Sequence, residues 1–288
     1  MRFFRFTRRP ALVLGILATL ALAGCSGRKL LDFFVPDTGY RMQKGVAYGA
    51  DPRQKMDVYV PDGLKNPACT VLFFYGGRWQ GGERGLYRFV GEAFSSRGCV
   101  TAIADYRLYP KVRYPAFVED AAKALVFLHA HAQDYGGDPN RIFVAGHSAG
   151  AYNALMLTIN PRFIEAAGGK PAWIRGAIGI SGPYDFLPFE DADVIDIFST
   201  EKDAATQPIN YVHPGLPPVF LATGMNDTEV KPKNAINLAA KLREAGVPVT
   251  LQVYPDARHM AIVLSLLHGF RGKTPLLDDI TAFIREQK

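Results

Sequence analysis

The feature that most constrains this chain is a repeated alternation. Short, nearly continuous apolar runs are separated by segments with helical spacing. TVLFFYGG (70–77), CVTAIADYR (99–107), RIFVAG (141–146), AIGISG (177–182), PPVFLATG (217–224) and VTLQVY (249–254) read as strands, CVTAIADYR and RIFVAG as buried ones. KMDVYVP (55–61) alternates like a half-buried strand. Helical patterns fall at about 86–97, 116–133, 149–160, 232–245 and 260–287. A strand buried on both faces needs helices above and below it. The pattern therefore predicts an α/β fold with a mostly parallel sheet flanked by helices, and right-handed crossovers restrict its topology. The 288 residues suffice for one large core.

The amino terminus breaks this pattern. Arg2, Arg5, Arg8 and Arg9 precede an apolar run, PALVLGILATLALAG, that ends at Cys25. The run is short for a bilayer span and reads as an export signal. LAGC resembles the lipobox of bacterial lipoproteins, which implies cleavage after residue 24 and lipidation of Cys25. Ser26 follows, where an aspartate would mark another destination. The expectation is an exported protein of the bacterial cell envelope, lipid-anchored to the outer membrane and facing the periplasm. Domain organisation then reads as a signal at 1–24, an anchor-proximal arm at 25–44 and one domain at 45–288. Within it, a less regular cap segment covers about 183–213.

The formal charge of +6 falls to +2 once the four leader arginines are removed. No dense basic stretch interleaved with aromatics remains, which argues against a nucleic-acid partner. Cys69 and Cys99 each begin a predicted strand. If those strands are neighbours in a parallel sheet, both thiols lie at the same end. A disulfide, suited to an oxidising compartment, is one reading, and two separate core thiols are the other.

RIFVAGHSAGAYNALML carries the chemistry. Gly146-His147-Ser148-Ala149-Gly150 is a G-x-S-x-G pentapeptide between an apolar strand and a helix, the context in which a serine is lifted above a sheet as a nucleophile. A histidine must take the serine proton, and a carboxylate must orient that histidine. The chain order serine, acid, histidine selects Asp227, just past the strand PPVFLATG, and His259, after VTLQVY. Glu229 and Asp185 are the alternative acids, and His268 and His213 the alternative bases. His147, adjacent to the serine on a tight turn, is expected to pack beside it. The backbone N–H of Ala149 is one expected oxyanion donor. FFYGGRWQGG (73–82) has the character of the loop that supplies the others.

That loop resembles the HGGGW-type loop of esterases and lipases related to hormone-sensitive lipase, and of arylformamidases. Tyr75 stands where those have histidine, and Arg78 where many have a third glycine. DYRLYP (105–110), FVEDAAKAL (117–125) and YGGDPNRIFVAGHSAG (135–150) extend the resemblance over about residues 45–270, to a group that includes isoprenylcysteine methylesterases and feruloyl-esterase-like proteins. It implies the α/β-hydrolase fold, oxyanion N–H groups from Gly77 and Arg78, and a supporting role for Asp105 and nearby Tyr and Arg residues. It implies carboxylic-ester hydrolysis through an acyl-enzyme, with no cofactor and no metal, and the shortness of the cap segment points to small to medium acyl esters. Amide or formamide hydrolysis, as in arylformamidases, is the alternative chemistry. A noncatalytic binding protein on the same fold is the alternative of another class. Tyr184, Phe186, Phe189 and Phe198 of the cap either line an apolar mouth or serve as packing.

Overall fold

The computed structural model describes residues 31–64 and 67–287. The expected signal, Cys25 and the first part of the arm lie outside the described residues. Eight strands form one sheet: β1 (Tyr40–Ala47), β2 (Lys55–Pro61), β3 (Ala68–Phe74), β4 (Val100–Ala104), β5 (Gly137–His147), β6 (Ile174–Ile180), β7 (Val219–Gly224) and β8 (Val249–Tyr254). Their order is β1-β2-β4-β3-β5-β6-β7-β8. β1 and β2 join antiparallel, and β2 is antiparallel to β4. From β4 to β8 every pairing is parallel. Helices α1 (Arg88–Ser95), α2 (Ala116–His131), α3 (Ala149–Ile159), α4 (Arg162–Ala166), α5 (Ala192–Ile197), α6 (Lys233–Glu244), α7 (His259–Leu264) and α8 (Leu276–Glu286) fill the connections. The alternation predicts this mostly parallel, helix-flanked sheet, and its strand order is that of the α/β-hydrolase fold the resemblance implies.

β1 corrects the expected domain boundary. The stretch assigned to an arm reaching residue 44 is, from Tyr40, an edge strand of the sheet, and Leu31 and Val35 before it are buried in the core. In YRMQKGVA the apolar alternation lasts only from Tyr40 to Gln43 and breaks at Lys44-Gly45, where the β1–β2 register shifts, so periodicity alone passes over this edge strand.

The sheet centre is fully buried. Val71, Leu72, Phe73 and Phe74 on β3 lie beside Phe143 to Gly146 on β5, and all four are fully buried. At about 1.5–3 kcal/mol for each such side chain, these four contribute on the order of 10 kcal/mol of burial free energy. α3 is buried along its whole length, which fits AGAYNALMLTI being apolar on every side apart from Asn153 and Thr158. The structure resolves the cysteine alternatives: β3 and β4 are neighbours, and Cys69 and Cys99 are disulfide-bonded at their amino ends.

Candidate active site

The carboxyl ends of β5, β7 and β8 converge on one site. β5 ends at His147, and Ser148 follows in a left-handed conformation, φ 55°, before α3 starts at Ala149. Such a φ is costly for a residue with a Cβ, and the surroundings must hold it. The Ser148 N–H donates to the Ile180 carbonyl, 2.9 Å away, and the Ser148 carbonyl accepts from Tyr152 N–H. The flanking glycines are needed for contact. A Cβ at Gly146 would lie 2.2 Å from the Gly150 carbonyl oxygen, and one at Gly150 would lie 2.1 Å from that of Phe74. The turn therefore closes only with glycine on both sides.

Asp227 leaves the turn after β7, and His259 opens α7 after β8. The His259 Nε2 stands 2.9 Å from Ser148 Oγ, and its Nδ1 stands 2.8 Å from Asp227 Oδ2. All three residues are largely buried. The second carboxylate oxygen, Oδ1, accepts from the N–H groups of Glu229 and Val230. Burial pushes the Asp227 carboxyl upward, but His259 and the Val230 N–H outweigh it and hold the group below the usual carboxylate range. A carboxylate that stays ionised keeps the His259 Nδ1 proton facing it, which leaves Nε2 free to accept from the serine.

The alternatives from sequence fall elsewhere. Glu229 Oε2 is exposed and 4.0 Å from His259 Nε2, so it borders the site without orienting the ring. Asp185 accepts from Asn237. His268 is exposed beside Glu92, and His213 is exposed on its own loop. His129 stacks on Trp173, and His131 pairs with Asp134.

The loop after β3 runs past the serine. A Cβ on Gly76 would come within 2.9 Å of Ser148 Cβ. Gly77 (φ 136°), Arg78 (φ 54°) and Trp79 (φ 60°) form a left-handed run that a regular strand or helix could not hold. Among the described residues, the backbone N–H groups of Gly77, Arg78 and Ala149 donate to no other protein group. Trp79 anchors the loop. Its ring stacks on Phe117 and meets Tyr152 and Phe198 edge-on, and its Nε1–H donates to Asn153 Oδ1 at 3.0 Å. Asn153 is the polar partner that sequence reasoning missed. Its signal was a lone asparagine in a helix that, Thr158 apart, is otherwise apolar.

Tyr75 is buried below the loop. Its hydroxyl donates to Asp105 Oδ1 at 2.8 Å and accepts from Arg53. Asp105 also takes the Arg84 N–H and the Arg84 guanidinium. This network braces the loop from behind and does not reach the serine, which is the supporting role expected for Asp105.

A cavity of about 210 Å³ opens at Ser148. Phe186 and Phe189 line it, whereas Tyr184 and Phe198 are buried packing residues, so the four cap aromatics divide between the two expected roles. Across the mouth, the Arg78 guanidinium lies 3.0 Å from Asp191 and 3.1 Å from Asp193, and Gln80 also donates to Asp193. Deeper in, Tyr152 O–H donates to the Thr206 carbonyl at 2.6 Å, and Asn234 Oδ1 accepts from the N–H groups of Tyr184 and Asp185.

Sheet order, turn geometry and the serine–histidine–aspartate relay together define an α/β-hydrolase. More narrowly, the chain belongs to the BD-FAE family, whose model matches residues 56–242. It is 26% identical to a probable isoprenylcysteine alpha-carbonyl methylesterase of Arabidopsis thaliana, over 88% of this chain and 57% of that one. It is 29% identical to a carboxylesterase of Mycobacterium tuberculosis, over 73% of this chain and 72% of the other. The chain thus spans a little over half the length of the first of these relatives. Among solved structures, a truncated carbohydrate esterase from gut microbiota superposes with a TM-score of 0.77 at 19% identity, covering 88% of this chain and 98% of that one. A butyrate-bound esterase of Thermogutta terrifontis gives 0.71 at 24% identity, covering 87% and 95%. These structures share the fold.

Proposed function

We propose that the protein is a serine carboxylic-ester hydrolase acting on small to medium acyl esters through an acyl-enzyme. The relay carries this reading: Ser148 Oγ, His259 Nε2 and Asp227 Oδ2 are linked at hydrogen-bond distance beside an open cavity. Ser148 Oγ attacks the ester carbonyl carbon as its proton passes to His259 Nε2. The carbonyl oxygen becomes an oxyanion, for which the backbone N–H groups of Gly77, Arg78 and Ala149 are the donors. Collapse breaks the bond to the alcohol oxygen, which takes the proton from Nε2. Water, deprotonated by the same nitrogen, then attacks the acyl-serine and releases the acid and the serine. Asp227 orients His259 and stabilises its charged form.

Relatives named as carboxylesterases and methylesterases support the ester class. The cavity volume and the Phe186–Phe189 wall suit a short to medium apolar acyl group. Export and lipidation at Cys25 complete the proposal, supported by the arginine-led apolar run ending in LAGC. The Cys69–Cys99 disulfide suits the same oxidising destination.

The test is hydrolysis of p-nitrophenyl esters from acetate to palmitate, with an aryl formamide in parallel. The expected profile peaks at short chains. Ser148→Ala should lower kcat/KM by about 10⁶-fold. Turnover of the formamide alone would replace the ester reading with the arylformamidase-like one. Full activity in Ser148→Ala would refute the site.

A further inference from the structure

His147 is fully buried and does none of the chemistry above. Its Nε2 lies 3.1 Å from the carbonyl oxygen of His259, 112 residues along the chain. A carbonyl oxygen only accepts, so the Nε2 nitrogen carries the proton. The other nitrogen, Nδ1, is buried with no hydrogen-bond partner among the described residues. It faces the Gly76 turn, where a Cβ would lie 3.1 Å from it. A proton on Nδ1 would therefore create a buried cation with nothing to receive it.

The connections around the base show what this bond adds. The loop before His259 is tied to the acid turn: Asn226 N–H donates to the Ala257 carbonyl, and Asn226 Nδ2 to that of Pro255. Gly224 at the end of β7 packs against the Ala257 backbone, where a Cβ would come within 2.3 Å of its oxygen. These contacts place the base relative to the acid. They do not place it relative to the nucleophile. His147 does, because it is covalently joined to Ser148 and its ring reaches the peptide of His259.

We infer that His147 is a positioning residue: its Nε2–H bond to the His259 carbonyl fixes the base against the nucleophile and holds the 2.9 Å Ser148–His259 separation. This rests on the proposed roles of Ser148 and His259. A rigid link is worth having because a displacement of about 1 Å at a reacting group costs on the order of 100-fold in rate. The link must also remain uncharged. The rings of His147 and His259 are 4.8 Å apart, and His259 becomes an imidazolium in each half-reaction. A second cation there would oppose that step. Burial, and secondarily the nearby His259, push the His147 pKa down to about 3, so the ring stays neutral wherever the relay works.

The experiment compares His147→Gln with His147→Leu in the full chain. Glutamine places an amide N–H near the Nε2 position, and leucine fills the space without a donor. The inference predicts that kcat for the preferred p-nitrophenyl ester falls about 10- to 100-fold in the leucine variant with KM within about twofold. Glutamine should recover most of the lost rate. Wild-type rate in His147→Leu, or an equal loss in both variants, would overturn it, since only a lost donor separates the two. A measurement on the wild type stands if a variant does not fold. Nitrogen-15 NMR of histidine-labelled protein should show His147 as the Nε2–H tautomer. An Nδ1–H tautomer overturns the inference outright. Failure of the ester reading is distinguished by Ser148→Ala, whose activity does not depend on the identity of residue 147.

Discussion

The two sides of the cavity are built differently. On the floor, Ser148, His259 and Asp227 are buried and held by backbone hydrogen bonds, glycine contacts too close for any Cβ, and a buried carboxylate. At the mouth, the cap meets the loop after β3 through the Arg78–Asp191 and Arg78–Asp193 pairs, with Arg78 and Asp191 more than half exposed. The Arg113–Asp196 pair, also well exposed, ties the cap to the loop after β4. Exposed ion pairs are screened by solvent and contribute little, whereas displacing a floor residue disrupts several buried groups together. The comparison teaches where chemistry and selectivity are separable. The proposed function assigns bond breaking to the floor, and its test at the mouth is which acyl group enters.

Substitutions on the two sides should differ accordingly. The largest effect belongs to the floor. Asp227→Asn keeps the shape of the acid but cannot hold His259 in the working tautomer, and kcat should fall by about 10⁴-fold at neutral pH. A loss under tenfold, measured by steady-state kinetics, would show that the relay does not depend on Asp227.

The next effect is on stability and comes from His147. Its pKa is depressed from 6.5 unfolded to about 3 folded. The unfolded chain therefore binds a proton that the folded one refuses. The stabilising contribution is complete above about pH 6.5 and is lost as pH falls toward 3. Between pH 7 and pH 5 this amounts to about 2 kcal/mol. His147→Gln should lack that part of the acid destabilisation, read as urea midpoints at the two pH values. Identical pH dependence in both proteins would mean that His147 titrates normally.

The smallest effect belongs to the mouth. Asp191→Asn with Asp193→Asn should leave kcat on acetate esters unchanged and shift KM for longer acyl chains by about two- to threefold, with added salt reproducing part of the shift. A 100-fold fall in kcat would erase the distinction between the two sides.

The floor was also the side legible in the sequence, for the same physical reason. A strained turn flanked by obligatory glycines, and an acid and a base each just past an apolar strand, leave local signatures around Gly146, Gly150, Asp227 and His259. The sheet was legible wherever strands are buried on both faces. β1 was not, because its alternation stops after Gln43, where the pairing with β2 shifts register. The partners that brace the site were hidden as well. Asn153 meets Trp79 from 74 residues away, and His147 meets His259 from 112. Neither spacing carries a local pattern. His147 was expected only to pack beside the serine, and its hydrogen bond becomes visible once the strands are placed. The division of the cap aromatics, with Phe186 inside the cavity and Phe198 in the core, likewise depends on tertiary contacts.

The most direct test of the account is to find the residue that acts as the nucleophile. The protein would be treated with diethyl p-nitrophenyl phosphate, digested, and the modified peptide sequenced by mass spectrometry. The account predicts a single diethylphosphoryl group on Ser148, formed with loss of esterase activity and absent from Ser148→Ala. A modified residue other than Ser148, or full ester turnover by protein in which Ser148 is completely phosphorylated, would contradict it.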